Sequence, residues 1–110
     1  MTEVYSSGGK KRPKGSGPVD WNLIPEHMRF GVKEYIEDGV PQGSFLAAVI
    51  KNDLKETFLR ADDINRRNIV GFVEFFYRFA PINCWGSAEN YYAWIKQGGL
   101  NGKTQETQTE

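Results

Sequence analysis

Apolar side chains recur along this chain at helical rather than strand spacing. Ile24, Met28, Val32 and Ile36 repeat every four residues with Tyr35 beside them, which predicts an amphipathic helix over residues 25–38. Pro25 suits a first helical position, Glu26 complements the positive first turn, and Gly39 is placed to stop the helix. After the turn Gly39-Val40-Pro41-Gln42-Gly43, Ser44 is placed to cap a second helix reaching about residue 60. Phe45, Leu46, Val49, Ile50, Leu54 and Phe58 give that helix a broad apolar face. Asn52-Asp53 sets two weak helix formers in its middle, so a kink or a second capped start there stays open.

A third helix is predicted from Asp62 or Asp63 to just before Pro81, with Ile69, Phe72, Val73, Phe76 and Phe79 as its core face. Val70, Phe75 and Tyr77 extend apolar character most of the way round, so this helix belongs at the centre or at a subunit interface. Ser87 caps a fourth helix to about residue 97, with Ala88, Tyr91, Tyr92 and Ile95 as its stripe and Gly98-Gly99 as its stop. No segment alternates like a strand. The pattern predicts an all-α, compact four-helix single domain with short loops and disordered termini.

Composition sharpens the boundaries. The 110 residues suffice for one core. Residues 1–20, rich in Gly and Pro, read as a disordered basic arm; residues 101–110 read as a disordered polar tail. The helical domain is then 21–100, small enough to leave a homo-oligomer open. The chain is neutral overall, yet the first twenty residues carry a net +2, from Lys10, Lys11, Arg12 and Lys14 against Glu3 and Asp20. That cluster can make weak nucleic-acid contact or act as a solvated arm, whereas the near-neutral remainder argues against DNA packaging. No apolar run approaches a membrane span and no signal-peptide pattern opens the chain, so the expectation is a soluble, cytoplasmic protein without a membrane partner.

Candidate chemistry is sparse. Cys84 is the one cysteine and His27 the one histidine, which leaves neither a disulfide nor a Cys/His metal cluster within one chain; no cofactor and no metal are expected. Nucleophilic chemistry needs a thiol beside a base, but Cys84 is far from His27 in sequence and a small buried thiol is its commoner role. Neighbouring residues on a helix point about 100° apart, so Glu37-Asp38 and Asp62-Asp63 are poor acid–base pairs. The chain therefore reads as a non-enzyme. The candidate ligand residues are Gly43 and Ser44, whose backbone N–H groups open a helix and suit phosphate. Arg29, Lys33 and Arg60 are candidates to neutralise an anion, and Tyr35 and Trp85 to stack on a base.

Taken together, Ile24-Pro25-Glu26-His27-Met28, Tyr35-Ile36-Glu37, Pro41-Gln42-Gly43-Ser44-Phe45-Leu46, Asn52-Asp53-Leu54, Arg60-Ala61-Asp62 and Cys84-Trp85-Gly86-Ser87 resemble a widespread family of short phage and prophage proteins. The likeness spans roughly residues 24–99. It implies a phage-encoded accessory protein in the bacterial cytoplasm that counters host defence or host machinery. Sequestration of a cyclic nucleotide signal is the first expectation. The alternatives are a protein–protein inhibitor of a host enzyme or defence complex, and a nucleic-acid-binding accessory protein using the basic arm.

Overall fold

The computed structural model describes residues 19–102, and the basic cluster Lys10, Lys11, Arg12 and Lys14 lies outside the described residues, as does the tail from residue 103 onward. The described residues are mostly helical and contain no strand. Among the described residues, six α-helices of five or more residues stand where four were expected: α1 (Glu26–Asp38), α2 (Ser44–Ile50), α3 (Leu54–Arg60), α4 (Asp63–Arg67), α5 (Ile69–Phe79) and α6 (Ala88–Gln97). The described residues also hold the 3-10 turns Trp21–Leu23 and Ile82–Cys84, and residues 99–102 are helical again after Gly98.

The extra helices arise where local caps outcompete continuation. Asn52 takes a left-handed φ of 66°, which Asn tolerates better than most side chains, and the Asp53 carboxylate accepts from the Glu56 N–H to open α3. The predicted second helix is thereby split. The predicted third helix divides at Asn68, whose side-chain amide donates to the Ile64 carbonyl (2.8 Å) and so closes α4. Asp62 caps α4 through the Asn65 N–H (2.7 Å). Asp20 caps the 3-10 turn Trp21–Leu23, and the Asn101 amide donates to Asp38 (2.9 Å).

The core is built round α5. Phe72, Phe75, Phe76 and Phe79 are buried, with Trp21 tilted against Phe75 and Phe45 edge-on to Phe72. Gly71 admits the first 3-10 turn, because a Cβ there would lie 2.5 Å from the Leu23 carbonyl oxygen. On the far side, Tyr35 of α1 stacks on Tyr91 of α6 with centroids 5.5 Å apart. The Tyr35 hydroxyl donates 2.7 Å to the Cys84 carbonyl. The Trp94 indole N–H donates to the carbonyls of Tyr35 and Ile36 (3.0 and 3.2 Å), satisfying acceptors in the last turns of α1.

The C-terminal ends of α1 and α6 meet at Gly39 and Gly99, both with positive φ; a Cβ on Gly99 would fall 2.5 Å from the Gly39 nitrogen. Gly99→Ala combines backbone collision with left-handed strain and is expected to destabilise by more than about 1 kcal/mol in urea unfolding. Tyr35→Phe deletes one buried donor and is expected to cost about 1–3 kcal/mol by the same measurement, with the helical circular dichroism unchanged.

Candidate functional site

The residues proposed for a phosphate are held in separate local arrangements. Gly43, not Ser44, is the cap residue of α2, and Ser44 is its first helical residue, with no side-chain cap bond. Ser44 therefore does not cap, and α2 has only seven residues. The turn before it is anchored from outside: the Gln42 N–H donates to the Tyr91 hydroxyl (3.2 Å). The Arg29 Nε donates 2.8 Å to the Ile24 carbonyl. Lys33 pairs with Glu37 (3.2 Å) and Arg60 with Glu56 (2.8 Å), each one turn along its own helix. Tyr35 is fully buried, so its ring lies in the core and presents no face to a base. Tyr35 serves instead as a positioning residue. It stacks on Tyr91, which holds the Gln42 turn, and it bonds the carbonyl that precedes Trp85.

Trp85 is half-buried, tilted against Phe76 at 5.6 Å. Its neighbour Gly86 donates to the Ile50 carbonyl (2.7 Å), which fixes the loop against the end of α2. Trp85 lines a cleft of about 200 Å³ whose other walls come from Val49, Asn52, Leu54, Thr57, Ile69 and Val73. The left-handed turn at Asn52 sets α3 off from α2 and supplies one side of this cleft. Enclosed small-molecule sites typically measure about 300–1,000 Å³. The cleft suits one apolar side chain better than a whole nucleotide.

Around the cleft lies a surface that the sequence pattern assigned to the core. Leu54 and Phe58 on α3 are 74% and 53% exposed, and Val73 on α5 is 43% exposed. Val70 and Tyr77 fall three residues before and four after Val73, so the three side chains form one outward stripe on α5. The periodicity of the predicted second helix was continuous, but the break at Asn52 turns α3 so that Leu54 and Phe58 leave the core face. The doublet Asn52-Asp53 was the available signal. Arg66 lays its guanidinium over the Phe58 ring at 4.8 Å, adding a cation to the edge of this surface.

Other reactive groups sit apart from the cleft. Cys84 is fully buried, and His27 pairs on the surface with Asp62 at 3.5 Å. Among the described residues no cluster of three or more His, Cys, Asp or Glu side chains could hold a metal, and no helix is long and apolar enough to cross a membrane. Lys51 lies over the rings of Tyr91 and Tyr92, 5.1 and 5.0 Å from their centroids. Its hydrogen bond to Tyr92 is the largest influence raising its pKa. No protein-family model, curated protein or solved structure matches this chain.

Burial, and secondarily the neighbouring Cys84 and Tyr91, push the Tyr35 phenol well above its ordinary pKa of 10.0. Above about pH 10 the unfolded phenol has lost its proton while the folded one keeps it, so the folded state binds more protons and stability falls as pH rises. The stability advantage of the wild type over Tyr35→Phe is therefore expected to shrink by up to about 1.4 kcal/mol per pH unit above pH 10, and to be constant below it, in urea unfolding across alkaline pH.

Proposed function

We propose that this chain is a phage-encoded binding protein that acts by contact rather than by covalent chemistry, presenting the apolar surface of α3 and α5 to another protein. The observation that carries this reading is that exposed Leu54 and Val73 line the cleft beside Trp85, with exposed Phe58 one turn from Leu54 on α3 and exposed Val70 and Tyr77 about one turn from Val73 on α5. Contiguous apolar surface around a pocket is the usual form of a protein contact site, with an aromatic anchor in its floor. In the host cytoplasm such a module counters host defence or host machinery by occupying the surface of a complex, in the manner of a protein–protein inhibitor. The burial of Cys84 and the exposed pairing of His27 with Asp62 are consistent with a non-catalytic role.

Tagged chain expressed in its bacterial host is expected to retain a stoichiometric protein. Leu54→Asp places a carboxylate at the mouth of the cleft and is expected to reduce that recovery at least tenfold, about 1.4 kcal/mol or more of binding. Equal recovery by the variant and the wild type removes the α3–α5 surface from the function.

A nucleotide-sequestering role is the second reading, and Trp85 favours it, since a half-buried indole at a cleft can stack on a base. Under that reading, cyclic dinucleotides quench Trp85 fluorescence and raise the melting temperature, and Trp85→Phe weakens the binding. A flat titration across a panel of cyclic and linear nucleotides rules the nucleotide role out.

A further inference from the structure

The shape and charge of the α3–α5 surface limit what can cover it. On one face the chain carries both a ridge and a groove. The ridge is the α5 stripe of Val70, Val73 and Tyr77, which are 77%, 43% and 63% exposed. The groove is the cleft between α3 and α5 floored by Thr57 and Trp85. A surface that holds exposed apolar side chains beside a cleft the size of one apolar side chain can be complementary to itself, as a two-fold interface requires. The charges at its edge are mixed, with Asp53 lining the cleft and Arg66 over Phe58, so they do not select a partner of one sign. The ion pairs that flank it, Arg60–Glu56 on α3 and Arg78–Glu74 on α5, close within the chain, and the whole chain has no net charge to hold two copies apart.

Magnitude points the same way. The exposed parts of Leu54, Phe58, Val70, Val73 and Tyr77 amount to roughly 600 Å² per copy, or about 1,200 Å² for a pair, which reaches the lower end of stable protein interfaces. A folded unit this small buries a limited fraction of its apolar surface by itself, and pairing offsets that deficit.

We infer that the α3–α5 surface seats a second copy of this chain, the α5 ridge of each copy entering the α3–α5 groove of the other about a two-fold axis. This inference rests on the reading of that surface as a protein contact and gives its occupant in the purified chain as a second copy, which a host protein displaces when it binds there. Val70 and Leu54 are central to the pairing, Tyr77 extends it, and Trp85 forms the floor that the opposite ridge covers.

The test is the solution mass of the purified full chain, measured by light scattering after gel filtration over a wide range of concentration. The expected result is a species of about 25 kDa, twice the 12.5 kDa of one chain, that gives way to single chains on dilution. Val70→Asp and Tyr77→Lys are expected to shift the mass to that of one chain throughout. Both replace exposed side chains, with charges that complement the near ends of the α5 dipole, so the helical signal and the fold are retained. Phe30→Asp, at an equally exposed site on α1, is expected to leave the pair intact. A wild type that runs as a single chain at every concentration overturns the inference. A pair that survives both Val70→Asp and Tyr77→Lys overturns it too, because the contact then lies on another face. In either case the recovery of host protein by wild type and Leu54→Asp still judges the broader reading on its own.

Discussion

The Tyr35 side chain ties together parts of the sequence that local preference cannot connect. Its ring stacks on Tyr91 of α6, and its hydroxyl reaches the Cys84 carbonyl, 49 residues away in sequence. Tyr91 in turn receives the Gln42 N–H, so one stacked pair holds both the turn before α2 and the loop before α6. A phenol removed from water must find an acceptor or leave a polar group unsatisfied. That requirement fixes the loop carrying Trp85 at one height above the core. The Trp94 indole adds a second tether by donating to the carbonyl of Tyr35 itself. The position of the cleft follows from these bonds, although none of the residues making them lines it.

The opposite wall of the cleft has a different origin. α2 is buried along almost its whole length, whereas α3, a few residues later, buries Thr57 alone. The left-handed Asn52 redirects the chain, and the Asp53 cap starts the new helix in a new orientation. A helix running straight from Ser44 to Arg60 would have carried Leu54 and Phe58 on the buried side with Val49 and Ile50. The break exchanges that burial for an exposed apolar surface. Burying each such side chain is worth about 1.5–3 kcal/mol, so leaving several in water is a cost that a partner protein can remove. The exposed surface and the buried Tyr35 network thus belong to one arrangement: a rigid loop on one side, a redirected helix on the other, and Trp85 between them.

The proposed contact role draws on how the charged and the apolar groups are placed. Arg29, Lys33 and Arg60 each engage a carbonyl or carboxylate of their own segment, so an incoming anion competes with bonds already made. On the apolar surface the Phe58 ring meets the Arg66 guanidinium, while Leu54, Val70 and Tyr77 are largely exposed beside a cleft that has the size of one side chain. Phage origin and an action against host defence or machinery belong to the same proposal; they come from the motif likeness and are independent of this geometry.

Much of the architecture was legible from residue spacing. The helical periodicity around Val32, Tyr35 and Ile36, the phenylalanine-rich face of α5, the stop at Gly39 and the cap at Ser87 are local features, set by side-chain period and backbone preference, and the structure contains them. Trp85 was likewise legible as a residue near a loop that could meet a ligand, and it lines the cleft. The number of helices was less secure, because Asn52 and Asn68 break patterns whose apolar period runs on across them. The role of Tyr35 and the exposure of Leu54 and Phe58 were beyond reach, whereas the surplus apolar character of α5 at Val70 and Tyr77 was legible. A buried tyrosine and a stacking tyrosine have the same place on a helical wheel, and only the partner across the core distinguishes them. By itself the sequence determined which segments become helices and which residues have apolar character. The tertiary structure alone decided which apolar faces meet one another and which are left in water, because that depends on the angles at the breaks and on hydrogen bonds between residues far apart in the chain.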